Sequence, residues 1–92
     1  MIQETSLQAY EEVKKTLSEK QFQVWKTLKR SRLAMTNTEI ADYLHWSINR
    51  VTPRVNELVK LFRVEMKAKR FCKITGRRAI AWGITGPERE LF

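Results

Sequence analysis

The sequence predicts a small, mainly α domain closed by an antiparallel β-hairpin, an α+β class with about four helices and two to three short strands. Three observations predict it. Up to Leu61 the apolar residues recur at helical spacing, and beyond it they alternate every second residue. Pairs such as Ser18 with Gln21 and Thr36 with Glu39 fit capping boxes, so they mark where helices open. A Gly-containing segment, Ile74-Thr75-Gly76-Arg77, divides the alternating part into two runs, as a hairpin requires. Ninety-two residues make one domain with a single small core.

Residues 1–17 read as a helical extension with a narrow apolar stripe of Leu7, Tyr10, Val13 and Leu17, opened by Thr5 with Gln8. That stripe has two destinations: packing on the same chain, or pairing with a second subunit as a homodimer. Residues 18–85 form the domain proper. Its first helix starts at Glu19 and runs to about Arg30, with Phe22, Val24, Trp25 and Leu28 inward. Leu33 to Met35 is long enough only for a small strand. The next helix opens at Thr36 and turns Ile40, Ala41 and Leu44 inward. Ser47 or Asn49 caps the helix after it, whose Val51, Val55, Leu58 and Phe62 face the core. Pro53 lacks an amide hydrogen, so this helix either starts near Asn49 or starts at Ser47 and bends. His45 stands in the intervening turn, where Gly is usual.

Past Leu61, Val64, Met66 and Ala68 alternate with Arg63, Glu65, Lys67 and Lys69, and Ile80, Trp82 and Ile84 alternate with Ala79, Ala81 and Gly83. A register with Ile84 across from Val64 and Trp82 across from Met66 brings the apolar faces together. The expected core is Leu17, Phe22, Val24, Trp25, Leu28, Leu33, Ile40, Leu44, Val51, Val55, Leu58, Leu61, Val64, Met66, Ile80, Trp82 and Ile84. Gly86-Pro87 ends the pattern, and 86–92 reads as a tail.

Charge narrows the function. The chain carries a net +8. Residues 1–45 hold seven Lys+Arg against six Asp+Glu, and residues 46–92 hold eleven against four, so nearly all of the surplus lies in the Ser47 helix and the hairpin region after it. Seven basic residues between Arg63 and Arg78 face Glu65 alone. Lys on a strand edge also prevents strand-to-strand aggregation, but Lys73, Arg77 and Arg78 cluster at the hairpin tip, beyond that need. The partner class is a polyanion. A single Cys and a single His cannot build an internal disulfide or a metal site of ordinary ligand count, and nothing requires a cofactor. No secretory segment opens the chain and no apolar run reaches membrane length, so no membrane partner is expected and the place is cytoplasmic. No pairing of nucleophile with base suggests an enzyme.

A short helix followed by one with outward Arg and Asn is a helix-turn-helix arrangement, whose second helix enters the major groove. Arg can fork onto guanine and Asn can pair with adenine. Base readout is therefore expected of Asn49, Arg50, Arg54 and Asn56. DNA-backbone contact is expected of Thr36, Ser47, Thr52, Lys69, Arg70, Lys73, Arg77 and Arg78.

The order helix, short strand, helix, turn, helix and basic hairpin resembles the winged helix-turn-helix family over about residues 18–85. The resemblance is carried by Thr36-Asn37-Thr38-Glu39-Ile40-Ala41, by the Ile48 to Leu58 helix, and by Thr75-Gly76-Arg77 at the tip. The stretch from His45-Trp46-Ser47 through Asn56-Glu57-Leu58, with Cys72 and Thr75-Gly76-Arg77 later, is similar to small phage- and prophage-encoded members. His45 and Phe62 depart from the family pattern, which often has Gly at both. The resemblance implies a major-groove helix over 47–60, a wing over 63–84 on the backbone or minor groove, and a small transcriptional regulator of double-stranded DNA acting at the nucleoid of a bacterial or phage-infected cell. The rival expectation is a phage-type interaction module, or an inhibitor that binds a host or replication protein through the same basic surface.

Overall fold

The computed structural model describes residues 11–31 and 33–85. The expectations for Thr5, Leu7, Gln8, Tyr10 and the 86–92 tail lie outside them. The described residues form a small α+β domain of four helices and a two-stranded antiparallel sheet. Residues 11–16 are helical (α1), followed by α2 (Glu19–Arg30), α3 (Asn37–Leu44), α4 (Ile48–Lys60), β1 (Val64–Phe71) and β2 (Arg78–Ile84).

Both internal capping boxes form. Ser18 accepts the Gln21 amide while Gln21 reaches back to the Ser18 amide, and Thr36 and Glu39 do the same for α3. These bonds satisfy first-turn donors that have no partner within the helix. Helix α4 opens at Ser47 and carries Pro53 inside it. The proline sits on the solvent side, four residues after the exposed Asn49, whose carbonyl it leaves without the usual helical amide partner.

The core is built from one face of each helix. Val24, Trp25 and Leu28 of α2 meet Ile40 and Ala41 of α3, Val51, Val55 and Leu58 of α4, and Val64 and Ile84 of the sheet. Val13 and Leu17 join the same cluster, so this part of the N-terminal stripe packs within the chain. Phe22 and Trp25 stack with centroids 6.0 Å apart.

The turns after α3 and α4 share one geometry. His45 lies at φ 60° and Phe62 at φ 59°, both left-handed. Trp46 donates to the Ala41 carbonyl and Arg63 to the Leu58 carbonyl, while His45 and Phe62 donate to Asp42 and Val59. Each helix thus ends in a Schellman motif, with His or Phe where Gly is usual. The left-handed residue after α4 also breaks the helical phase. Phe62, expected beneath Leu58, is instead 84% exposed, and Leu61 is 48% exposed.

The hairpin has the expected register, Val64 across from Ile84 and Met66 across from Trp82, with a bulge at Lys67. Met35 bridges Trp82 from the other side, so the short strand at 33–35 reduces to one bridge. Strand β2 is therefore the inner strand, and α2 and α3 pack against it. Met66, on the outer strand β1, is 54% exposed rather than core, and Leu33 is 67% exposed. Ala81, expected to face outward, is fully buried: beyond the bulge it pairs with Ala68, and β2 buries Ala81 and Ile84 three residues apart. Ile80 is only half-buried.

Candidate nucleic-acid interface

Helix α4 turns Val51, Val55 and Leu58 inward, so its opposite side is set by the 3.6-residue period. Asn49, Pro53, Asn56 and Lys60 recur there at steps of four, three and four, and all are exposed. Lys60 was missing from the expected set. The signal was present, because it continues the row that starts at Asn49. Arg50 is exposed on the flank, with its guanidinium 5.8 Å from the centre of the Trp46 ring. Ser47 is exposed, and its side chain makes no capping bond.

Four expected contacts sit elsewhere. Arg54 bends back along the helix: its Nη2 donates to Glu57 Oε2 at 2.8 Å, and Gln21 of α2 donates to Glu57 Oε1 at 2.7 Å. The Gln21 bond, outweighing burial and aided by Arg54, holds the Glu57 carboxyl below its ordinary pKa. Arg54 Nε is buried and has no partner among the described residues. Arg54 therefore braces Glu57, which ties α4 to α2 through Gln21, rather than standing free for base readout. Thr52 lies in the seam with α3, half-buried, and accepts from Asn37 Nδ2 at 3.4 Å. Thr36 is 1% exposed; its hydroxyl caps α3 and lies 3.1 Å from Cys72 Sγ, where either group can donate.

Arg70 is the fourth. Its guanidinium grips the Glu39 carboxylate at 2.6 and 2.8 Å and also donates to the Ala34 carbonyl at 2.7 Å. Glu39 accepts two further bonds, from the Thr36 and Lys73 amides. The Arg70 bonds, working against partial burial, hold the Glu39 carboxyl down at about 2. The hairpin tip is thereby fastened to the start of α3. Cys72 is buried in the same joint. Burial pushes its thiol pKa up, but Thr36 and the Ile74 and Thr75 amides outweigh that and leave it below the usual value. The sequence could not reveal this joint, because its partners lie 31 to 36 residues apart.

The tip itself is a tight loop. Gly76, at φ 73°, donates to the Cys72 carbonyl, and Cys72 donates to the Arg77 carbonyl. Lys69, Lys73, Arg77 and Arg78 are all exposed around it, and no described carboxylate pairs with any of them. Arg78 lies 5.8 Å from the Phe71 ring centre. The hairpin's other ion pair, Lys67 with Glu65, sits back at the bulge. The candidate surface is thus the outer row of α4 with Arg50 and Ser47, together with four side chains of the hairpin. Its chemistry is hydrogen-bond donation and positive charge. Among the described residues no cluster of metal-ligating side chains comes together, and no helix is long and apolar enough to cross a membrane.

No family model matches the chain, and no curated protein or solved structure is detectably similar to it.

Proposed function

We propose that the protein is a small winged helix-turn-helix regulator that binds double-stranded DNA sequence-specifically. In this reading α3 and α4 are the helix-turn-helix, α4 lies in the major groove, and the β1–β2 hairpin is the wing. One observation carries it: the outward side of α4 presents Asn49, Arg50, Asn56 and Lys60 without an acidic partner among the described residues. Arg50, Asn49 and Asn56 are then the base readers. Lys60, Ser47, Lys69, Lys73, Arg77 and Arg78 hold the backbone, which sets register and affinity but carries no sequence information. Titration of the protein against a random duplex at two salt concentrations tests the reading. Binding that weakens steeply with salt supports it, and no binding at low salt overturns it.

A protein partner is the second reading, and a separate observation favours it. Leu33, Tyr43 and Ile74 are exposed around a groove of about 430 Å³ between α3 and the hairpin tip, on the side of α3 turned away from α4. An exposed apolar cluster of this kind is a common mark of an interaction site. If duplex DNA does not bind, this groove is the first surface to vary.

A further inference from the structure

Two cations lie over one aromatic ring at the turn between α3 and α4. Lys20 Nζ is 5.9 Å and the Arg50 guanidinium 5.8 Å from the centre of Trp46. Trp46 packs one side on the core and is only half-buried, so the ring is a fixed platform with an open margin. Among the described residues neither cation forms an ion pair. A groove of about 600 Å³ opens beside them, lined among others by Ser18, Glu19, Trp46 and Arg54. Glu19 is the one acid among the described residues that line it.

We infer, on the reading that the protein binds DNA, that Trp46 with Lys20 and Arg50 forms a phosphate-binding shelf that extends the interface from α4 onto the start of α2. Like charges near one ring repel, and the negative face of the ring lowers that cost while holding both flexible side chains in place. An anion bound beside them offsets that repulsion. A phosphate also needs only donors, which Lys and Arg supply. A stacked base is a poorer occupant, because the cations cover the ring. Lys20 and Arg50 each belong to the first turn of a helix of twelve or thirteen residues, so the positive ends of both helices add to the same field. Arg50 joins the shelf to the outward row of α4: its guanidinium carries five N–H donors, so it can share them between the base edge it reads and the phosphate beside it, and the phosphate belongs to the duplex that α4 reads.

The test is the binding of a short random-sequence duplex by wild type, Lys20→Ala, Lys20→Arg and the exposed control Lys15→Ala across a salt series. Lys20→Ala should weaken binding roughly 3- to 10-fold and make the log–log salt slope shallower by about one, for every sequence alike. Lys20→Arg and Lys15→Ala should behave as wild type, and all four should melt alike. Tryptophan emission should change when duplex is added to wild type, and that change should vanish in Trp46→Phe. If wild type binds duplex but Lys20→Ala keeps its affinity and slope, the shelf is overturned and the DNA reading stands. If a single strand quenches Trp46 more strongly than duplex and binds Lys20→Ala and wild type alike, the ring stacks bases and the phosphate assignment is wrong. If wild type binds no duplex at low salt, the DNA reading itself fails.

Discussion

Glu39 and Arg70 meet in a two-point ion pair, Arg70 Nη2 on Glu39 Oε1 at 2.6 Å and Nη1 on Oε2 at 2.8 Å, which ties the first turn of α3 to the hairpin. Each carboxylate oxygen also takes one amide, from Thr36 or from Lys73. The pair fixes where the basic tip stands relative to the two helices.

Acid should loosen the fold through this group. The folded carboxyl sits at about 2 against an ordinary 4.5. A depressed folded value means the stabilisation is complete above pH ~4.5 and is lost as pH falls toward 2. Glu39→Gln should cost about 2–3 kcal/mol at pH 7, because Arg70 and the Lys73 amide lose their charged acceptor. Its stability should also vary less between pH 4.5 and 2 than that of wild type. Denaturant melts of both proteins across this range provide the check. Equal pH dependence would show that other carboxyls dominate.

Two helix ends can be stabilised by removing a side chain. His45 and Phe62 hold left-handed backbones and are exposed. A side chain costs about 1–2 kcal/mol in that region, partly offset by the greater freedom glycine has when unfolded. His45→Gly and Phe62→Gly should each gain about 0.5–1 kcal/mol by chemical denaturation. A loss at Phe62 would show that its ring makes contacts that matter to the fold.

Duplex binding should fall with salt along a log–log slope near −4 to −5. That range holds if about five phosphates are neutralised, at about −0.9 each. Lys73→Ala, Arg77→Ala and Arg78→Ala should each weaken specific and random duplexes alike and flatten the slope by about one. A change in base preference at one position would instead make the hairpin a reader of sequence.

Arg50 and Arg54, one turn apart on α4, should separate in function. Arg50→Ala should cost about 1–3 kcal/mol on the preferred site and relax the preference there, with little change in melting. Arg54→Ala should act mainly on stability, by loosening the contact of α4 with Gln21 through Glu57. Selection from random duplexes, run beside thermal melts, distinguishes the two. Arg54→Ala with an unchanged melt and a relaxed preference would return Arg54 to the reading face.

The sequence by itself determined the elements whose causes are local. Ser18 with Gln21 and Thr36 with Glu39 placed two helix starts to the residue, because a capping box is a contact between residues three apart. The inward row Val51, Val55 and Leu58, and the pairing of Val64 with Ile84, come from periods of 3.6 and 2. Surplus charge in the second half of the chain is likewise a property of the sequence. Tertiary structure decided what depends on distant partners or on backbone handedness. At His45 and Phe62 the left-handed backbone is held by residue types that do not favour it, so Phe62 and Leu61 read as core until the chain reversed beneath them. Arg54 and Arg70 resemble any other exposed cation in one dimension. Only folding set Glu57 beside the first and Glu39 beside the second, and a cation held by a carboxylate is no longer free for a partner.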